Sequence, residues 1–265
     1  MKKDLSLSEI KMLELEILKH FKSFCNENKI SFYLSNGTLL GAVKYGGFIP
    51  WDDDIDVFVP REDYDRLVKI YKDSDRFKLF SSDRDENFRF TFAKLCDVTT
   101  LKTEKNIDNG VDLGVDIDIF PLDTCSDHIF KKTVQFKQKL FQNGCILSKF
   151  LSSKGKPFHK RLIIDLCRLV GFKYFSDRLI DVIKNEISLG STYAGCLMWP
   201  IYGKAEIIPA DVFAHTVDVT FEGESFPAPV GYDIYLRSLY GNYHQDPPKE
   251  AQKTHHSFEA FQFDC

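Results

Sequence analysis

The chain has 265 residues, 43% of them hydrophobic, and a formal net charge of −4. That is enough apolar content for a sizeable core and too acidic for a dedicated nucleic-acid binder, so no nucleic-acid partner is expected. Its seven cysteines are scattered without a C-x-x-C pair. This excludes a zinc ribbon or redox motif and reads as small buried hydrophobes in a reducing compartment.

The N-terminal stretch MKKDLSLSEIKMLELEIL mixes Asp and Glu among its apolar residues, unlike a signal peptide. Nothing in the chain approaches the roughly 20 apolar residues of a membrane span, so a cytoplasmic location is expected. Residues 6–28 read as an amphipathic helix. Ser6 and Glu9 have capping-box spacing, and Ile10, Leu13, Ile17, Phe21 and Phe24 recur at helical intervals.

A short strand over Ser31–Leu34 runs into the polar break Ser35-Asn36-Gly37-Thr38, with a helix starting at Leu39-Leu40-Gly41. The two Gly and the Pro of GGFIPWDDD (46–54) exclude regular structure there. Ile55–Val59 reads as a strand. Pro60 ends it and opens a helix faced by Tyr64, Leu67, Val68 and Tyr71. Further strands are predicted over Phe77–Phe80, Phe88–Leu95, Thr99–Thr103 and Gly114–Phe120, the last closed by Pro121. The order predicts an α+β fold with a mixed α/β sheet.

The character changes after Asp127. A helix over 128–150, the connector SSKGKP (152–157) and two more helices follow. Leu162, Ile163, Leu166, Leu169 and Val170 stripe the first of these; Ser176 caps the second and Gly190 ends it. The tail from 196 is rich in Pro, Gly and aromatics, with a hairpin near Val217–Phe226. The division expected is a core over 1–127 and a mostly helical region over 128–265 packed on it.

The densest chemical signal is Trp51-Asp52-Asp53-Asp54-Ile55-Asp56-Val57-Phe58. Strand alternation puts Asp54 and Asp56 on one face, and two carboxylates that close repel unless a cation lies between them. Hard oxygen ligands suit Mg²⁺ or Mn²⁺. The pattern returns in Val115-Asp116-Ile117-Asp118-Ile119-Phe120. If the two strands are neighbours, three or four acids converge, and such a cluster can hold two metals on a transferring phosphoryl group. Asn36-Gly37-Thr38 offers a close backbone approach and helix-start amides for a phosphate.

Other readings compete. Asp52 and Asp53 fit a solvated turn as well as a site. A calcium loop starting at Asp52 fails because its sixth position is Val57 rather than Gly and Pro60 interrupts it. Lys149, Lys154, Lys156, Lys160 and Arg161 form a basic run that reads as solvated surface, with guidance of an anionic, lipid-linked glycan at the inner membrane face as the alternative.

LSNGTLLGAVKYGGFIPWDDDIDVFVPREDYDRL resembles the signature of the LicD family of phosphocholine transferases, whose core the fukutin-related transferases share. The resemblance extends to AKLCDVTT, VDIDIFPLD and FPAPVGYDIYLRSLYGNYHQDPP, blocks spread over most of the chain. It implies a nucleotidyltransferase-like core in which Asp54 and Asp56 are the metal pair. Asp118 is best matched as the third acid, with Asp116 on the same face. It also implies a phosphate contact by Lys94, for which a solvated strand lysine fits equally. Gly37-Thr38 stands where that superfamily has Gly-Ser or Gly-Gly.

The implied reaction moves phosphocholine from CDP-choline to a hydroxyl of a glycan or lipid-linked glycan, in teichoic acid or lipopolysaccharide, with CMP leaving. Transfer of another CDP-linked alditol phosphate, nucleotidylyl transfer, or a binding module with a relic site are the alternatives. The helical region is expected to shape the acceptor side. Choline needs aromatic faces: Trp51, beside the acids, is the first choice, and Tyr45, Tyr193, Trp199, Tyr202 and Tyr232 qualify by type. His244, His255 and His256 receive no role.

Overall fold

The computed structural model describes residues 2–254 and 258–263. Strand β1 (Lys2–Asp4) leads into helix α1 (Leu7–Asn28), whose start carries the expected capping box between Ser6 and Glu9. Strand β2 (Tyr33–Leu34) is shorter than predicted, and α2 (Asn36–Tyr45) begins three residues earlier than predicted. Asn36 adopts φ 45° at this start, a left-handed conformation that asparagine tolerates. After the irregular acidic loop come β3 (Asp56–Pro60) and α3 (Arg61–Ile70). β3 starts at Asp56, so Asp54 lies in the loop rather than on the strand.

Next come β4 (Phe77–Phe80), β5 (Ala93–Glu104) and β6 (Leu113–Cys125). Three predictions are corrected here. The Phe88–Leu95 strand exists only from Ala93, because Phe88, Phe90 and Phe92 instead build a ladder of rings reaching Phe120, with centroid steps of 5.2, 5.4 and 4.3 Å. Alternating aromatics mark this ladder as readily as they mark a strand face. The predicted Thr99–Thr103 strand is the second half of β5, joined to the first by a register irregularity between Asp97 and Lys102. Pro121 does not close β6. β5 pairs with β6 only as far as Ile119, so the missing proline N–H falls where no β5 partner waits.

Helices α4 (Lys132–Ser148), α5 (Phe158–Val170) and α6 (Phe172–Ser188) follow. α6 starts directly after Gly171, so Ser176 is buried within it and is not its cap. Strands β7 (Tyr193–Gly195) and β8 (Ile208–Pro209) precede the expected hairpin, β9 (Thr216–Phe221) and β10 (Glu224–Pro229). Helix α7 (Tyr232–Tyr240) and strand β11 (Phe258–Phe263) complete the described residues.

The main sheet runs β1-β11-β5-β6-β3-β2, with β4 also on β5 and β7 on the end of β6. β3 and β6 are parallel; the other pairs are antiparallel. Its core joins Ile17 and Phe21 of α1 with Val57, Ile117 and Ile119 of the central strands. Phe213, Phe226 and Tyr235 from beyond residue 127 belong to this same core, and β7 and β11 to this same sheet. A satellite core of Val134, Leu179, Ile183 and Met198 seats α4 and α6 against the end of β6. Cys25, Cys96, Cys125, Cys145 and Cys196 are buried free thiols, as the scattered spacing predicts.

Glu206 is 2% exposed and accepts the Tyr202 amide at 2.5 Å. Burial, only partly offset by the Tyr202 and Ile201 N–H groups, pushes its carboxyl up to about 8. The folded chain therefore holds an extra proton between the ordinary value of 4.5 and about 8, and stability falls as pH rises through that window. Glu206→Gln is expected to match the parent near pH 4 and to raise the thermal midpoint by at least about 3 °C above pH 8. Equal midpoints at both pH values in a melting series would contradict this.

Candidate active site

Parallel pairing sets Asp56 directly opposite Asp118, Val57 opposite Ile119 and Phe58 opposite Phe120. The Asp118 amide donates to the Ile55 carbonyl at 2.8 Å. The apolar residues of both strands sink into the core, so the two acids emerge together. On the far side of β6, Lys94 of β5 stands opposite Asp118. Two adjacent strand pairings thus bring one lysine and two aspartates into line.

The start of α2 buttresses Asp56. The Thr38 Oγ1 accepts the Asp56 amide at 2.8 Å, and the Asn36 Nδ2 donates to the Asp56 Oδ2 at 3.1 Å. Asn36 is itself held by the Tyr235 hydroxyl, which donates to its Oδ1 at 2.7 Å. Gly37 faces Asp52: a Cβ there would stand 2.5 Å from the Asp52 Oδ2. The acidic loop is pinned by Lys11 of α1, which donates to the Ile49 and Pro50 carbonyls at 3.2 and 3.3 Å. Glu222 accepts the Phe48 amide at 3.0 Å.

Carboxylate oxygens of Asp52, Asp53 and Asp54 lie within 4.8 Å of one another; among the described residues this is the trio that meets that spacing. Asp118 is drawn instead toward Lys94, with which it pairs closely. Burial, then Asp54 and Asp118, push the Asp56 carboxyl well above the usual range. Burial, then Asp54 and Asp53, raise Asp52 to about 7. Asp118 rises to about 6 through burial, with Lys94 opposing and Asp116 adding. Such mutual repulsion is what a divalent cation relieves, and the donors are the hard oxygens Mg²⁺ and Mn²⁺ prefer. The residues fit such an ion.

Lys94 is 6% exposed, so the solvated-lysine reading is overturned. Its Nζ meets the Asp116 Oδ2 at 2.5 Å as well as Asp118. Lys102 bonds the other Asp116 oxygen at 2.9 Å. Burial alone would raise Asp116, but the Lys102 and Lys94 ammoniums outweigh it and hold this carboxyl below the usual range. Asp116 is thus enclosed by two cations, while the Asp118 side chain keeps 19% of its surface exposed.

Sequence reasoning missed three groups. Lys149, grouped there with a solvated basic run, lies 3.4 Å from the centre of the Phe90 ring, which Lys94 also approaches at 4.9 Å. Its backbone is docked: the Lys149 carbonyl accepts the Asp108 amide at 2.8 Å, and the Leu151 amide donates to the Asn106 carbonyl at 3.1 Å. Burial, then repulsion from Lys94, bring the Lys149 amine down to about 7. Its Nζ makes no hydrogen bond or ion pair among the described residues.

Glu14 of α1 is fully buried, and neither carboxylate oxygen has a hydrogen-bond partner among the described residues. Burial raises its carboxyl well above the usual range, with Lys102 opposing and Asp54 and Asp116 adding. The signal was visible: Glu14 sits four residues after Ile10 and three before Ile17, on the apolar stripe. Tyr240 pairs edge-on with Tyr202 at 5.4 Å. Trp51 lies in the acidic loop, edge-on to Tyr45 at 6.2 Å. Tyr193 packs on Phe130, and Trp199 on Phe92. His244 packs against Tyr243; His255 and His256 lie outside the described residues.

Residues 29–166 match the family described as "LicD/FKTN/FKRP, nucleotidyltransferase domain". The chain is 30% identical over 269 aligned positions to the lipopolysaccharide cholinephosphotransferase LicD of Haemophilus influenzae, covering 98% of this chain and 99% of that protein. It is 41% identical over 58 residues to an uncharacterized protein of Rickettsia typhi, covering 22% and 19% of the two chains. Mannosyltransferase regulator 4 of Saccharomyces cerevisiae is 29% identical over 103 residues, 38% of this chain and 8% of that one.

The two groups of acids should respond differently to neutralisation. Asp116→Asn leaves the buried Lys94 and the half-buried Lys102 short of a counter-charge and is expected to cost about 3–5 kcal/mol, read as a lower urea midpoint. Asp54→Asn should leave that midpoint in place. An unchanged midpoint for Asp116→Asn would contradict its assignment as the counter-charge.

Proposed function

The chain belongs to the LicD family, and from that premise we propose that it transfers phosphocholine from CDP-choline to a hydroxyl of a cell-surface glycan, releasing CMP. The observation that carries this reading is the register that sets Asp56 opposite Asp118 beside Asp54. The full-length relative is a lipopolysaccharide cholinephosphotransferase, which favours a lipopolysaccharide saccharide as acceptor over teichoic acid. The family description supports a nucleotidyltransferase-like core.

Asp54 and Asp56, with Asp118 from the neighbouring strand, would hold a divalent cation, Mg²⁺ or Mn²⁺. When bound, that ion supplies positive charge to the donor diphosphate and to the departing CMP. The protein's own groups do the rest. Asn36 and Thr38 keep Asp56 aimed, and Gly37 keeps the approach to the phosphate open. Lys149, with no carboxylate partner, takes a donor phosphate oxygen and keeps its charge there. Asp116 holds Lys94 and Lys102 in place rather than ligating. Asp118 orients the acceptor hydroxyl and accepts its proton. A carboxyl at about 6 is suited to that task near neutral pH. The acceptor oxygen then bonds to the phosphorus of phosphocholine as the bond to the CMP oxygen breaks with its electron pair. Positioning and charge stabilisation dominate such transfers.

The cation of choline calls for aromatic faces, each worth about 0.5–2 kcal/mol. The Tyr202–Tyr240 pair offers two such rings side by side. The Trp51–Tyr45 pair is the second candidate.

Incubation with CDP-choline, Mg²⁺ and the acceptor glycan should release CMP; release of pyrophosphate from a nucleoside triphosphate instead would favour nucleotidylyl transfer. Asp54→Ala should give no CMP above background with an unchanged melting point, and retained turnover would refute its role. Lys149→Met keeps the contact with Phe90 but loses a charge-assisted contact worth about 1.5–3 kcal/mol. The donor KM should therefore rise about ten- to hundredfold. An unmoved KM would remove Lys149 from the donor site.

A further inference from the structure

Helix α5 turns its apolar side to solvent. Phe158, Leu162, Ile163, Leu166, Leu169 and Val170 are between 42% and 84% exposed, while Ile164 is the one residue the helix buries. At 100° per residue these six span about 140° of the helix surface. A surface helix of a folded protein ordinarily turns such a stripe inward, and a large exposed apolar patch marks an interaction site. α5 rests chiefly on α4 through its other side.

Around the start of this stripe stand Lys154, Lys156, Lys160 and Arg161, all exposed and without an ion pair among the described residues. They form a local cationic rim in a chain whose net charge is −4. No helix among the described residues is long and apolar enough to cross a membrane, and the 13 residues of α5 fall short of the roughly 20 needed.

We propose that α5 is an interfacial anchor that lies flat on an anionic lipid bilayer. Its apolar stripe enters the acyl boundary and its four cations meet headgroup phosphates. Each cation adds about fivefold to partitioning onto an anionic surface. A second copy of the chain is a poorer occupant. A two-fold contact sets the same patch against itself, which opposes the rim lysines to one another, and lysine is depleted at protein interfaces. A bilayer satisfies the stripe and the rim together. The anchor needs no particular reaction at the site.

The test is co-sedimentation of the full chain with vesicles of phosphatidylglycerol and phosphatidylethanolamine, against vesicles of phosphatidylcholine alone. The parent should pellet with the anionic vesicles at least about tenfold better than with the neutral ones, and high salt should release it. The triple variant Leu162→Ser, Leu166→Ser, Leu169→Ser should lose at least about tenfold of the bound fraction. Its melting point should be unchanged, because these side chains are exposed. Lys160→Glu with Arg161→Glu should abolish the preference for anionic vesicles. The anchor is overturned if the parent stays in the supernatant, or if either variant pellets like the parent. It is also overturned if light scattering shows a parent dimer that the triple variant dissolves, which would assign the stripe to a second copy.

Discussion

Everything at the site follows from pairing β3 with β6 in parallel. That register sets Asp56 against Asp118 at the end of two buried strands, where each carboxylate loses water and gains a like-charged neighbour. The fold tolerates the conflict because the surroundings are strongly fixed. The Thr38 hydroxyl and the Asn36 amide hold Asp56 from one side, and Tyr235, from almost two hundred residues later in the chain, holds Asn36. The late return of α7 into the first half of the chain is therefore part of how the acids are aimed.

The second constraint is a charge arrangement. Lys94, buried, and Lys102, half-buried, share Asp116, while Lys94 also reaches Asp118. Removing either partner from such a group costs far more than the group contributes as a whole. Its value lies in placement: it leaves Asp118 partly exposed and Asp116 enclosed. Lys149 completes the picture from a separate element. Because Lys94 already stands nearby over the same Phe90 ring, a third cation there is repelled, and that repulsion is released when an anion enters. Acids and cations gathered beside one strand pair offer complementary charge to a ligand that carries both signs.

Much of this was legible in the chain. The acids set in two apolar runs announce two strands that carry Asp56 and Asp118, although Asp54 falls in the loop before the first, and Ser6 with Glu9 marks the start of α1. Elsewhere one pattern had two physical causes. Phe88, Phe90 and Phe92 alternate because their rings stack, not because they line a strand. Pro121 should have ended β6, but the neighbouring strand had already stopped. Ser176 looks like a cap only if the role of Gly171 as a break is missed. Lys149 was indistinguishable from its solvated neighbours, since only the docking of residues 149–151 onto 106–108 separates it from them. Glu14 left a trace, a lone acid on an apolar stripe, and Lys102 left none.

The central claim is that acids from two strands act on one divalent cation. Titration with Mn²⁺, read by the loss of free-ion signal in electron paramagnetic resonance, tests it on the parent, Asp56→Asn and Asp118→Asn. The account predicts a saturable site in the parent and a loss of at least about tenfold in affinity in each variant, the scale on which even an outer partner of a metal matters. Parent-like Mn²⁺ binding by both variants would contradict it.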